Sequence, residues 1–262
     1  MIKVHVISDY YLNFVEFTTD TDETLPECDV VVIVGNMGQI KRVMIYVEAL
    51  CNKYPDKQFI LNIGRTEDGL HAKNNTELSD GLTNRQKISK FWPKNLHYSF
   101  QKPISLTIND QTIEVLCFHG FPYIIEDNIE DSVWKSTQWY KYATHGVTFE
   151  QSEFKHKDAA DVYHGWFPKF STVERCREDH DQEYNIVKEW LSDKNDATKI
   201  LVTALGPKMD PCLAGIEYHM YPDISPDFWI ASGTDAEERN NSFVLYGNPG
   251  RSESARKAVL II

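Results

Sequence analysis

Asp29-Val30-Val31-Val32-Ile33-Val34-Gly35-Asn36 is the stretch that decides the fold. An unbroken β-branched run between an acid and a Gly-Asn pair is apolar on both faces. Such a run reads as a parallel strand covered on both sides. Downstream, Ile40, Val43, Met44, Val47 and Leu50 recur at i, i+3, i+4, i+7 and i+10. That spacing puts one apolar stripe along a helix. Pro55 and Asp56 end the helix, and Phe59-Ile60-Leu61-Asn62-Ile63 is the next strand, with Gly64 opening its loop. Upstream, Ile2 to Ile7 is a short apolar strand, followed by an acidic loop with Asp20, Asp22, Glu23 and Glu27. Strand, helix, strand in this order implies a parallel sheet with right-handed crossovers.

Farther along, Ile104 to Ile108 and Thr112 to Phe118 flank Asn109-Asp110-Gln111 and read as an antiparallel hairpin. Ile186, Val187, Trp190 and Leu191 mark a second amphipathic helix. Ile200 to Thr203, Phe228 to Ala231, Phe243 to Tyr246 and Val259 to Ile262 read as later strands. Two layered sheets flanked by helices fit this order. Residues 120–180 are aromatic and polar (Trp134, Trp139, Tyr163, Trp166) and read as a long excursion with short helices. No internal repeat or Gly/Ser linker divides the chain, so a single domain over 1–262 is expected.

The 262 residues suffice for a large core, and 42% apolar with 25% charged residues excludes disorder and small disulfide scaffolds. Twenty-seven basic against 39 acidic residues give a net charge of −12, which argues against non-specific nucleic-acid binding and anionic membranes. The longest apolar run is far short of the ~20 residues of a membrane span. No signal-peptide pattern precedes the first strand. The five cysteines, Cys28, Cys51, Cys117, Cys176 and Cys212, are odd in number and lack a Cys-x-x-Cys pair. They read as reduced, mostly core thiols of a cytoplasmic protein.

In α/β folds chemistry sits in the loops after the carboxyl ends of strands. Here those loops are Ser8-Asp9-Tyr10-Tyr11, Gly35-Asn36-Met37-Gly38, Gly64-Arg65-Thr66-Glu67, Thr203-Ala204-Leu205-Gly206-Pro207 and Ala231-Ser232-Gly233-Thr234-Asp235. In order and spacing these five blocks resemble those of the calcineurin-like metallophosphoesterases, above all their small bacterial and phage members. Those blocks are Asp-x-His, Gly-Asp, Gly-Asn-His-Glu, Thr-His-His-x-Pro and Gly-His-Thr-His. The late turn Gly247-Asn248-Pro249 is similar as well. The resemblance spans nearly the whole chain, most loosely at 120–180. It implies a four-layer α/β/β/α sandwich of two mixed sheets flanked by helices. It also points to a phage or bacterial source and the cytoplasm, the host's if phage-encoded.

The blocks keep the framework and lose the chemistry. The family holds two divalent metals, such as Mn, Fe or Zn, with Asp, His and Asn ligands. By the resemblance Asp9 is retained, while Tyr11 replaces a histidine and Asn36 the bridging Asp. Arg65 and Thr66 stand for the Asn-His pair, and Ala204 for a liganding His. Gly233 and Asp235 stand within the last block, which carries no histidine. Two dications ~3.5–4 Å apart need anionic oxygens to offset their repulsion, and a neutral Asn36 cannot bridge as a carboxylate does. Arg65 adds a permanent positive charge, and Thr66 is no general acid near neutral pH. A single Mg²⁺ or Ca²⁺ on Asp9, Asn36 and Asp235 would be weakly held. No cofactor is therefore expected, and no catalytic residue is assigned.

Three readings follow. The first is a catalytically inactive homologue acting as a protein-binding scaffold or regulator. The second is a phosphate or nucleotide binder that uses Arg65, Asn36, Tyr11 and Thr66 without hydrolysis. The third is a residual phosphoesterase with an altered metal site. In the sharpest local picture the Arg65 guanidinium pairs with Asp9 and Asp235 where the metals would sit; in the blander one it faces solvent. His119-Gly120 follows a strand and reads as a packed or solvent-facing pair, with a pocket rim as the alternative. His145, His156, His164 and His180 lack the i, i+4 spacing of a helical zinc pair. The acidic runs Glu126 to Asp131 and Asp235 to Glu238 read as solvated faces.

Overall fold

The computed structural model describes residues 1–8, 24–34, 37, 40–63, 82, 86, 90, 92–118, 120, 123–125, 173–203, 218–221, 223–232, 237–239, 243–246 and 259–262. Its elements in chain order are β1 (Lys3–Ile7), β2 (Val30–Ile33), α1 (Ile40–Lys53), β3 (Gln58–Leu61), β4 (Leu96–Tyr98), β5 (Ile104–Ile108), β6 (Gln111–Phe118), β7 (Tyr123–Ile124), α2 (Val173–Ser192), β8 (Thr198–Thr203), β9 (Tyr218–His219), β10 (Phe228–Ser232), β11 (Glu237–Arg239), β12 (Phe243–Tyr246) and β13 (Val259–Ile261).

The strands form a mixed α/β fold with two mixed sheets. The first runs β13-β1-β2-β3-β4, with β13 antiparallel and the others parallel. The second runs β11-β12-β10-β8-β6-β5, with β6, β8, β10 and β12 parallel between antiparallel edges. A small pair, β7-β9, stands apart. The β2–α1–β3 crossover is the unit that the Val30 to Val34 run announced. The β5–β6 hairpin turns on Asn109 and Asp110 at φ of 51° and 62°. Two left-handed residues are the signature of a tight primed turn, and Asn and Asp tolerate that conformation.

Both sheets fix their start with one device. An Asp just before a strand accepts the backbone N–H of the neighbouring strand: Asp29 from Lys3 at 2.8 Å, and Asp227 from Lys199 at 2.7 Å. At the same edge Glu27 of the acidic loop pairs with Lys3 at 2.6 Å.

Three apolar clusters stack through the fold. One joins α1 to the outer face of the first sheet through Val43, Val47, Leu50, Phe59 and Leu61. The second lies between the sheets and is aliphatic: Val4, Val6, Val30, Val32, Val34 and Ile60 meet Ile113, Val115, Cys117, Ile200, Val202 and Ile230. The third joins α2 to the outer face of the second sheet through Leu116, Phe118, Val187, Trp190, Leu201 and Trp229.

Each helix is stopped by a polar side chain from a distant element. Asn95 Nδ2 donates to the carbonyls of Cys51, Tyr54 and Lys57 at 3.2, 3.1 and 2.9 Å, closing the end of α1. The last turn of α2 has no basic residue of its own. Lys199, on β8, supplies the charge: its Nζ donates to the Trp190 carbonyl at 2.6 Å and to that of Asp193. A cation at a helix C-terminus satisfies orphan carbonyls and opposes the helix dipole.

Several elements depart from expectation. Helix α2 begins at Val173, more than three turns before the apolar spacing at Ile186 reveals it. The short strands β4, β7, β9 and β11 carry too few residues for periodicity to register. Glu237 and Glu238, within the acidic run, belong to the edge strand β11 and pair with Leu245 and Val244. Cys28, Cys51 and Cys117 are buried free thiols, as expected of core cysteines. Burial pushes them up to about 11, 12 and 12 respectively, far from thiolate chemistry. Among the described residues no helix is long and apolar enough to cross a membrane.

Candidate functional site

Register makes the strand ends level. In the first sheet, Ile7, Ile33 and Leu61 lie in one row, and Leu61 pairs with Tyr98. In the second, Phe118, Thr203, Ala231 and Leu245 lie in one row. The parallel strands therefore hand over to their following loops at the same height in each sheet. The five loop blocks of the sequence start on these rows or within three residues beyond them.

A single side chain ties the two rows together. Asn62 directly follows β3 and is 2% exposed. Its Nδ2 donates to the Val34 carbonyl at 3.1 Å in its own sheet and to the Phe118 carbonyl at 2.9 Å in the other. The carboxyl ends of β2, β3 and β6 thus meet at one edge of the molecule. Backbone bonds carry the first sheet one row farther, from Val34 N–H to Ile7 and from Asn62 N–H to Ile33, at 2.9 and 2.8 Å. The row after the strands is accordingly Ser8, Val34, Asn62.

Side chains alternate along a strand, so Ser8 shares a face with Val4 and Val6, and Asn62 with Ile60. Those apolar residues face the second sheet. The inter-sheet core therefore gains two polar side chains, Ser8 and Asn62, on either side of Val34 in its last row, at the edge where the loops begin. Ser8 is fully buried, and its Oγ has no hydrogen-bond partner among the described residues.

The opposite flank of this edge is a buried polar and aromatic cluster under α2. Glu183 is 2% exposed; its carboxylate accepts from the Gly120 N–H at 3.2 Å and from the Tyr221 hydroxyl. Tyr221 takes φ of 29°, a left-handed backbone that a tyrosine holds only when its surroundings fix it. Its ring stacks on Tyr184 at 6.2 Å and on Trp229 at 5.8 Å. His180, 1% exposed, lies 5.4 Å from the rings of both Tyr123 and Tyr221 and contacts Asp181 through Nδ1 at 3.1 Å. Trp229 Nε1 donates to Thr203 Oγ1 at 2.9 Å, so the cluster ends on the last residue of β8. Glu183 and Asn62 grip the segment after β6 from its two sides, at Gly120 and at Phe118.

Asp9, Tyr11, Asn36, Arg65, Thr66, Ala204, Gly233 and Asp235 lie outside the described residues, as do His119 and the aromatics from Trp134 to Phe170. Their places along the chain are fixed by the strands before them: Asp9 is two residues past Ile7, and Ala204 follows Thr203 directly. Ala231, at the head of the fifth block, is still within β10 and packs into the α2-side cluster. His180 is a core residue, not a ligand candidate. Sequence reasoning missed Asn62 and Glu183. Asn62 has one signal, an amide at a core-facing position straight after an apolar strand. Glu183 has none, because the run Glu178 to Gln182 before it looks like a solvated helix face.

The positions that the resemblance assigns to metal ligands hold Asp9, Ala204, Gly233 and Asp235 here, with Arg65 beside them in the block pattern, and none of these is among the described residues. Among the described residues no group of three or more His, Cys, Asp and Glu could hold a metal ion.

The far edge offers a groove of ≈ 450 Å³ lined by Asp110, Gln111, Thr112, Glu114, Asn195, Asp196 and Ala197. Its central carboxylate is already committed. Glu114 accepts from Trp190 Nε1 at 3.0 Å and from Asn195 Nδ2 at 2.9 Å.

No family model matches the chain, and no curated protein matches it. Among solved structures, the crystal structure of a phosphopantetheinyl hydrolase from Mycobacterium tuberculosis is similar with a TM-score of 0.58 and 9% identity. The likeness covers 94% of this chain and 90% of that one. At that identity the likeness concerns the fold alone.

Proposed function

We propose that this chain is a phosphoesterase-fold protein that has lost two-metal hydrolysis and binds a phosphate-containing small molecule at its strand-end edge. The four-layer α/β/β/α order belongs to the same reading, supported by the succession of α1, two sheets and α2 through the apolar clusters. The observation that carries the proposal is the level rows of strand ends joined by Asn62. The loops that follow these strand ends carry Tyr11, Asn36, Arg65 and Thr66, residue types that offer neutral hydrogen bonds and one cation. Such a set suits a phosphoryl group better than a pair of dications. The similar solved structure is named for a phosphopantetheinyl hydrolase, which agrees with a phosphate-bearing ligand.

The scaffold reading has a different consequence. A protein partner would be held without any small ligand, and Arg65 would be spent on Asp9 and Asp235. Calorimetry separates the cases. Chelator-treated protein is titrated first with Mn²⁺ and then with AMP. The proposal expects no two-site Mn²⁺ binding at micromolar affinity, and saturable AMP binding that raises the melting temperature as RT ln(1 + [L]/Kd) requires. Tight two-site Mn²⁺ binding would bring the hydrolase reading first. Absence of both, with a partner retained in a pull-down, would bring the scaffold first.

A further inference from the structure

The orphan hydroxyl of Ser8 is the most specific polar feature at this edge. A buried group left without a hydrogen bond costs about 1–3 kcal/mol, so a native protein keeps one for a reason. Ser8 sits in the row of Asn62, roughly 10 Å away across β2, as two strand spacings require. It is on the inner face, directly before Asp9. Asn62 is satisfied by carbonyls of both sheets. Ser8 is not satisfied, and its whole residue is buried. The inter-sheet core below it is aliphatic and gives it nothing to bind. A partner must therefore come from the edge side.

We propose that Ser8 Oγ–H is the deepest hydrogen-bond donor of the strand-end site and donates to an oxygen of the bound phosphoryl group. This rests on the phosphate-binding reading above. The hydroxyl is short and held on a strand end, so it can add directionality where Arg65 adds charge.

The test is AMP titration of the full chain, wild type and Ser8→Ala, with the melting temperature of each ligand-free protein. A hydrogen bond to a charged oxygen is worth about 1.5–3 kcal/mol, or roughly ten- to a hundredfold in affinity. The expected result is at least about tenfold weaker binding by Ser8→Ala, together with a ligand-free melting temperature equal to or above wild type. That pairing distinguishes a ligand contact from a structural one, since a structural hydroxyl would lower the melting temperature. Wild-type binding retained unchanged by Ser8→Ala overturns the Ser8 assignment and leaves the phosphate reading standing. No AMP binding by the wild type overturns both.

Discussion

The core beneath α1 and the core beneath α2 occupy equivalent places on the outer faces of the two sheets, yet the second adds a buried polar cluster to its apolar filling. The α1 side is filled by Val43, Val47, Leu50, Phe59 and Leu61. The α2 side holds a buried carboxylate, a buried histidine, a buried lysine and stacked tyrosines. Apolar filling is non-directional and tolerates modest repacking. A polar cluster fixes its members in one geometry and fails when a member is removed. The first side anchors the fold; the second holds the segments after β6 and β9 at set positions beside the strand-end edge.

The largest effect is expected on the apolar side. Phe59 is fully buried on β3, an internal strand of the first sheet. Phe59→Ala should cost about 3–5 kcal/mol in chemical denaturation, from lost transfer energy and the cavity left behind. If that loss proved smaller than any on the α2 side, the division of labour drawn here would be wrong. Next comes Glu183→Ala. It leaves the Tyr221 hydroxyl and the Gly120 N–H without their acceptor, at about 1–3 kcal/mol each. Coupling between Glu183→Gln and Tyr221→Phe in a double-mutant cycle should exceed about 0.5 kcal/mol; additivity would show that the two groups do not act as one unit.

The smallest effect is one of pH. His97, hydrogen-bonded to Gln58 at 2.7 Å on β4 and β3, has its pKa lowered by burial. A lowered histidine pKa means that the unfolded chain binds the proton more readily. This part of the stability is therefore complete above the unfolded value of about 6.5 and is lost as pH falls through the folded one. His97→Gln should flatten the stability profile on the acid side of that value and leave it unchanged near pH 8. An unchanged acid-side slope would show that His97 titrates alike in the folded and unfolded chain.

The same contrast explains what could be read from the chain. Where burial is apolar and periodic, the residues declare themselves: Ile40 to Leu50 as a helix, Val30 to Val34 and Ile200 to Thr203 as strands. Where burial is polar they do not. The first two turns of α2, with Arg175, Arg177, Asp179 and Asp181, carry the composition of a solvated surface, and Tyr221 follows a two-residue strand. Short edge strands such as β11 escape for another reason: backbone pairing, not side-chain pattern, defines them. The site was legible to the extent that strand ends predict where loops begin. The blocks at Asp9, Asn36, Arg65, Ala204 and Asp235 follow strands that end in level rows. Asn62, which joins those rows, bonds to carbonyls 28 and 56 residues away, and no local pattern encodes such a partner.

The pairing of β1 with β13 has a practical consequence. Ile2 and Ile262 exchange both backbone hydrogen bonds, at 2.8 and 2.9 Å, so the two ends of the described chain lie side by side at the start of β1. The strand-end edge is at the other end of that strand, roughly 17 Å away for five residues. A cross-link joining the segments at Ile2 and Ile262 would therefore leave the strand-end edge, at the far end of β1, untouched.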